Sequence, residues 1–311
     1  MSRRAVRGDD DAREDYRAGS IALLGRPNVG KSTLLNALMG VKLAIVTPRP
    51  QTTRNRIAGI KTTADAQFVF VDTPGICDPR RAPLGRRLVE VSRAAMREAD
   101  TIALLIDSAK GLTAADRAVV AGIAAERAPA VVVLNKMDLI ARPRLLPLME
   151  TMAALLPTCE VIPVSALTGE NLDTLEGVLR RHLPCGVPLY GEDDLTDQSE
   201  RFIAQEVVRE KVFELTRDEI PYACAVVTEE FKERVSPEKA PVLYIRATIL
   251  ISRPSQKGIV IGRGGERLRE IGTRARVDLE RFFARRVFLD LYVKVESGWE
   301  TNPTVLREVG L

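Results

Sequence analysis

At 311 residues with 45% apolar content, the chain is long enough for two domains, each with its own core. Its four cysteines are scattered without a Cys-x-x-Cys pair, which argues against a disulfide framework or a zinc site, and no run of about 18 apolar residues suggests a membrane-spanning helix. The net charge of +4 hides an asymmetry: residues 242–299 carry twelve Lys or Arg against six Asp or Glu, so one domain is basic and suited to a polyanion while the rest is close to neutral.

Residues 1–17 hold five arginines and five acids and hardly any apolar side chain, so the segment 1–18 is expected to be a disordered tail of no evident function. An apolar strand, Ile21 to Leu24, then runs into Gly25, Arg26, Pro27, Asn28, Val29, Gly30, Lys31, Ser32 and Thr33. This is a phosphate-binding loop between a strand and a helix. Gly25 and Gly30 let successive N–H groups turn inward toward phosphate oxygens, and the helix near 31–40 adds the positive end of its dipole. Lys31 can reach the β- and γ-phosphates, and the Ser32 hydroxyl can ligate Mg2+.

A polar, proline-rich stretch without periodicity follows, Thr47-Pro48-Arg49-Pro50-Gln51-Thr52-Thr53-Arg54, and reads as a mobile switch loop. One of its threonines should complete the Mg2+ shell, Thr53 being favoured over Thr52. A strand at 67–72 ends in Asp72-Thr73-Pro74-Gly75. Asp72 suits a water-mediated hold on the metal, and the Gly75 N–H can sense the γ-phosphate. The next residue is Ile76, where many regulatory nucleoside triphosphatases place a water-orienting glutamine. An isoleucine can neither donate nor accept a hydrogen bond, so slow intrinsic hydrolysis is expected.

The base is read further on. The strand Ala130 to Leu134 ends in Asn135-Lys136-Met137-Asp138. Asp138 can accept from both N1–H and the 2-amino group of guanine, whereas adenine would leave it unpaired at a cost of about 1–3 kcal/mol or more. After the strand near 160–164, the Ser165-Ala166-Leu167 loop should offer the Ala166 N–H to guanine O6. The bound nucleotides are therefore GTP and GDP. The lone histidine, His182, falls at a helix end and reads as a capping or surface residue.

From 20 to 183, strands and helices alternate as in a mostly parallel α/β sheet wound with helices. A Pro- and Gly-rich, then acidic, stretch at 185–199 reads as a linker, stiffened by Pro184 and Pro188. Beyond it the pattern is helix (200–217), strands (223–233 and 242–252), a short helix from Gln256, Ile261-Gly262-Arg263-Gly264-Gly265, a long helix to about Phe283, and a strand at 287–295. This α+β order resembles a type II KH domain, whose Gly-x-x-Gly loop clamps about four unpaired nucleotides. Ile261, Gly262, Arg263, Gly264 and Gly265 form that loop here. Arg267, Arg274, Arg281 and Arg285 are spaced to form a basic stripe, with Arg267 and Arg274 as candidate RNA contacts. Trp299 suits either a base-stacking platform or a packed C-terminal anchor, the anchor being favoured.

These motifs in this order resemble the translation-factor-like branch of P-loop GTPases. The form Gly-Arg-Pro-Asn-Val-Gly-Lys-Ser-Thr with Gln-Thr-Thr-Arg is similar to that of the Era family, and the second half matches it closely, from about residue 20 to the C-terminus. The resemblance implies a GTPase domain at 19–184, a KH domain at 200–296 and a tail at 297–311. It implies a GTP-dependent RNA-binding switch with Asn28, Lys31, Thr53, Asp72 and Gly75 as the catalytic set. Mg2+ is the implied cofactor, with a potassium ion held partly by Asn28, although Asn28 could equally stabilise its loop. The implied partners are 16S ribosomal RNA near its 3′ end and the 30S subunit precursor. A cytoplasmic monomer is expected, with contact to anionic lipid on the inner membrane's cytoplasmic face left open. Competing readings are a membrane-associated signalling GTPase, or an RNA chaperone in which GTP is structural.

Overall fold

The structure, a computed structural model, describes residues 15–310 apart from 48, 50, 51, 76–82, 127, 128, 237 and 238. The expected tail up to residue 14, Pro48, Pro50, Gln51 and Ile76 therefore lie outside the described residues. The chain divides into two compact units, one of residues 1–43 and 56–197, the other of residues 44–55 and 198–311.

In the first unit, β1 (Arg17–Leu24), α1 (Lys31–Met39), β2 (Ile57–Thr62), β3 (Ala66–Asp72), α2 (Pro83–Glu98), β4 (Thr101–Asp107), α3 (Ala114–Glu126), β5 (Ala130–Asn135), α4 (Leu145–Leu155), β6 (Glu160–Pro163) and α5 (Leu172–His182) build one sheet of order β2-β3-β1-β4-β5-β6. Strands β4 and β5 are buried along their whole length, as a parallel sheet covered on both faces requires. Only β2 runs antiparallel, because a three-residue turn at 63–65 returns it directly into β3. One face packs Ala22, Leu24, Ile102, Leu104, Val132 and Leu134 against Val120 and Ile123 of α3 and Met152 of α4. Since β1 lies between β3 and β4, the chain winds first one way and then the other about it, and that reversal opens a crevice at the carboxyl end of β1.

The stretch expected to be a linker is largely bound to this unit. Gln67 Oε1 accepts from the N–H groups of Leu189 (2.6 Å) and Tyr190 (2.9 Å), Ile60 N–H donates to Leu195 O at 2.9 Å, and Thr196 bridges to Gly59. These contacts cover the outer edge of β2, whose backbone groups would otherwise be exposed. The division between the units therefore falls after Asp197 rather than at 184.

The second unit contains α6 (Glu200–Leu215), β7 (Cys224–Ser236), β8 (Lys239–Ile251), α7 (Pro254–Ile261), α8 (Glu266–Phe283), β9 (Val287–Val295) and α9 (Pro303–Glu308). Its sheet has β8 in the middle, antiparallel to β7 and parallel to β9. Alternation along β8 turns Leu243, Ile245, Ala247, Ile249 and Ile251 toward Val208 and Val212 of α6 and Ile271, Ala275 and Leu279 of α8. The last three recur at helical spacing on one face of α8, and they are fully buried.

Residues 297–310 are not a tail. Trp299, Val305, Leu306 and Val309 close over Ala225 and Leu250 as a second, smaller core. Trp299 is wholly buried, and its indole N–H donates to Ala223 O at 3.1 Å, so it anchors the C-terminus and offers no face to a base.

Candidate functional site

The phosphate loop is held in shape by the protein's own groups. Gly30 precedes α1 at φ 102°, no side chain caps that helix, and a Cβ at Gly30 would strike the Asn135 amide. Lys31 is buried, its Nζ bonded to the carbonyls of Gly25 (3.2 Å) and Arg26 (3.0 Å) across the loop that it encloses. Val29 is buried under the loop and Thr33 lies half-buried in the first turn of α1. Arg26 points elsewhere: its Nε donates to Asp116 Oδ1 at 2.6 Å, and the other oxygen of Asp116 accepts from Thr113 at the start of α3. Gly75 abuts the loop so closely that a Cβ would lie 2.6 Å from Pro27 N. Thr73 and Pro74 fix this approach, the Thr73 hydroxyl donating to Leu23 O and Pro74 O accepting from Ser92.

Ser32 Oγ donates to Asp72 Oδ2 at 2.6 Å, bringing a hydroxyl and a buried carboxylate together beneath the loop. Hard oxygen donors converging beside a phosphate cradle fit Mg2+, which when bound neutralises phosphate charge. Thr53, the other expected ligand, belongs to the second unit and is 8% exposed there.

The base-reading loops are cross-braced. Asn135 is buried, donating to Val29 O at 2.8 Å and accepting from Ala166 N–H at 3.0 Å, so it ties the phosphate loop to the Ser165-Ala166-Leu167 loop. The Ala166 N–H expected on guanine O6 is thus directed at Asn135. Lys136, at φ 65°, reaches Asn28 O (2.7 Å) and Asp107 Oδ2 (2.7 Å). Asp107, at the end of β4, was missed from sequence; its only signal is an aspartate at a strand end followed by a turn. Met137 and Asp138 open a short turn in which Asp138 is exposed, with no partner among the described residues. Ser165 Oγ accepts from Thr168 N–H, and Leu167 projects into solvent beside this loop.

The second unit holds the Gly-x-x-Gly loop between α7 and α8. Gly262 takes φ 75°, and a Cβ there would lie 2.8 Å from Arg267 Cβ, so only glycine lets the turn close on α8. Gly264 and Gly265 also have positive φ, and α8 starts without a side-chain cap, leaving its N-terminal dipole at the loop. Ile261 is half-buried and Arg263 exposed beside it. From the loop a groove of about 390 Å3 runs between α8 and β9, lined by Gly265, Leu268, Arg269, Thr273, Arg276 and Leu291 among others.

A family described as 50S ribosome-binding GTPase matches residues 20–136, and a KH domain family matches residues 219–300. The chain is 46% identical to a GTPase Era of Syntrophus aciditrophicus over 95% of both proteins. It belongs to the Era family of GTPases. A GTPase Era of Geotalea daltonii is 45% identical over 96% of this chain and 98% of its own. Two solved Era structures, each 41% identical with a TM-score of 0.90, cover 94–95% of this chain and 99% of theirs: an Aquifex aeolicus variant bound to GDP.AlF4-, and an Era in complex with MgGDPNP and nucleotides 1506-1542 of 16S ribosomal RNA. The chain is accordingly a GTPase with a KH domain.

In this Era-family chain, ion pairing sorts the arginines of the KH unit. Arg267 bonds to Ile259 O, Arg274 pairs with Glu270, Arg281 with Asp278 and Arg285 with Glu200. Arg263, Arg269 and Arg276 are exposed and meet no carboxylate among the described residues. The helical stripe read from spacing is thus largely engaged within the protein. Arg269 and Arg276 line the groove instead.

Arg54, the last residue of the Era-type motif, sits in a built site of the same unit. Arg54 is 3% exposed, its guanidinium donating to Cys224 O (2.7 Å), Pro221 O (3.0 Å) and Tyr222 O (3.1 Å). It stacks 5.8 Å from the Phe213 ring centre and 5.7 Å from that of Trp299. Burial, with Arg209 nearby, lowers its pKa to about 10, so it stays charged near neutrality. Neighbours are held too: Arg209 donates to Thr52 O at 2.6 Å, Arg49 to Thr216 O at 2.5 Å, and Asn55 to Val309 O at 2.8 Å. Burial would lower the pKa of Arg209 also, but the bonded Glu206 carboxylate outweighs it and raises it.

Proposed function

We propose that the chain is a GTP-controlled RNA-binding switch that hydrolyses GTP slowly, acts as a monomer in the cytoplasm, and engages 16S ribosomal RNA near its 3′ end during 30S subunit assembly. The observation that carries the control is Arg54. Thr53, the proposed metal ligand, is bonded in sequence to a residue buried in the KH unit. Consecutive Cα atoms are about 3.8 Å apart, so any movement of Thr53 on engaging a metal is passed directly to Arg54. Nucleotide state and KH unit then share one segment, and each can bias it only by its own preference between arrangements. The RNA assignment is supported by the relative that binds nucleotides 1506-1542 and by the three exposed arginines about the glycine loop. The engagement of Arg274, Arg281 and Arg285 by carboxylates disfavours a lipid-binding stripe.

Crosslinking the protein to cellular RNA with GDP or a non-hydrolysable GTP analogue, then sequencing the captured RNA, tests this reading. Enrichment of the 16S 3′ end that depends on nucleotide is the expected result; capture without sequence preference contradicts it. We also infer that a potassium ion assists hydrolysis, supported by the exposed Asn28 side chain beside the phosphate loop. Turnover should be faster in K+ than in Na+, and Asn28→Ala should remove the difference. Equal rates in both salts for the unaltered protein would contradict the potassium role.

A further inference from the structure

The groove beside the glycine loop does not end at α8. Arg276 lines it and also lines a second cavity of about 640 Å3, formed at the far end of α8 and the start of β9 by Val242, Glu280, Arg285, Arg286 and Phe288 among others. Of these, Arg276 and Arg286 are exposed and meet no carboxylate among the described residues. Arg285, which also lines it, is paired with Glu200 at 2.6 Å. The carboxylate of Glu280 is occupied by Val287 N–H at 3.1 Å. With Arg276, Arg285 and Arg286 set against the single Glu280 carboxylate, the lining of the cavity is cationic.

It also has an aromatic wall. Phe288 is 56% exposed, unusual for a phenylalanine on a strand. One side of its ring is backed by Tyr244, its register partner on β8, at 5.7 Å between ring centres and 15° between planes. Tyr244 is buried and covered in turn by the Arg234 guanidinium, 3.4 Å from its centre. A rigid, backed ring with exposed surface beside unpaired guanidinium groups is the arrangement that holds an unpaired base by stacking and its phosphate by charge.

We propose that this cavity is a second RNA subsite, taking the nucleotides that follow those clamped by the glycine loop, with a base stacked on Phe288 and phosphates at Arg276 and Arg286. The proposal rests on the RNA-binding reading of the KH unit. The occupant follows from continuity: Arg276 borders both cavities. A KH cradle holds about four nucleotides, so a longer single strand must leave it somewhere, and this exit is cationic.

The full chain, loaded with a non-hydrolysable GTP analogue, is titrated with two fluorescent RNAs cut from nucleotides 1506-1542 of 16S RNA, of about four and about eight unpaired nucleotides. Phe288→Ala should weaken the longer RNA by roughly five- to a hundredfold and leave the shorter within twofold, while Phe288→Trp retains both. Arg286→Ala should reduce the salt slope by about one for the longer RNA alone. Equal affinity of the two RNAs, or a longer RNA indifferent to both Phe288→Ala and Arg286→Ala, overturns the subsite, as a protein-binding patch would. Failure of the unaltered protein to bind either RNA overturns instead the reading on which the subsite rests.

Discussion

Asp138 is exposed at the rim of a loop whose other members are committed: Asn135 to Val29 and Ala166, Lys136 to Asn28 and Asp107. The braces leave Asp138 as the carboxylate proposed to choose the base. Asp138→Asn should reduce GTP affinity about ten- to a hundredfold, by loss of a charge-assisted pair worth about 1.5–3 kcal/mol, and leave thermal stability unchanged. Nucleotide titration by calorimetry reads the first effect and thermal denaturation the second; undiminished GTP preference would contradict the assignment. Lys31, Ser32 and Asp72 stand out in sequence because phosphate and metal chemistry call for those groups at a helix start and a strand end. Asp107 and Asp116 were not. They act on other side chains, and an aspartate that anchors Lys136 or Arg26 has no spacing of its own to announce it.

Among the elements, α8 shows where periodicity stops informing. Its apolar face, Ile271, Ala275 and Leu279, follows from helical spacing, because burial selects for volume and apolarity along one stripe. Its arginines are equivalent in sequence and differ only in what lies across from them: Arg274 meets Glu270, whereas Arg276, two residues on and turned to another face, borders the groove. Arg269→Ala and Arg276→Ala should each weaken RNA binding and lower its salt slope by about one, whereas Arg274→Ala should do neither. Fluorescence anisotropy at several salt concentrations distinguishes them, and equal losses for all three would contradict the sorting. The element boundaries of the GTPase unit lay close to expectation, since glycines mark several turns there. The C-terminal segment did not, for a short helix after a turn has too few apolar residues to reveal that Trp299 and Val305 cover the back of a sheet.

At the scale of the molecule, what sequence did not disclose is the membership of residues 44–55. A polar, proline-rich segment without periodicity carries no sign of burial, yet Thr52, Thr53, Arg54 and Asn55 are all buried, within the unit formed by residues 198–311. The site for Arg54 is assembled from Phe213, three carbonyls at 221–224 and Trp299, groups far along the chain. Withdrawing the guanidinium leaves three carbonyls without that donor, at about 1–3 kcal/mol each, so losing even one of these bonds is enough to supply the 1–3 kcal/mol typical of coupling between sites. The most direct test is the ratio of RNA affinities with GDP and with a non-hydrolysable GTP analogue, measured for the unaltered chain and for Arg54→Ala. The account predicts a ratio well away from one, of about 5- to 150-fold, that collapses toward one in the variant. A ratio of one in the unaltered chain, or an unaltered ratio in Arg54→Ala, would contradict it.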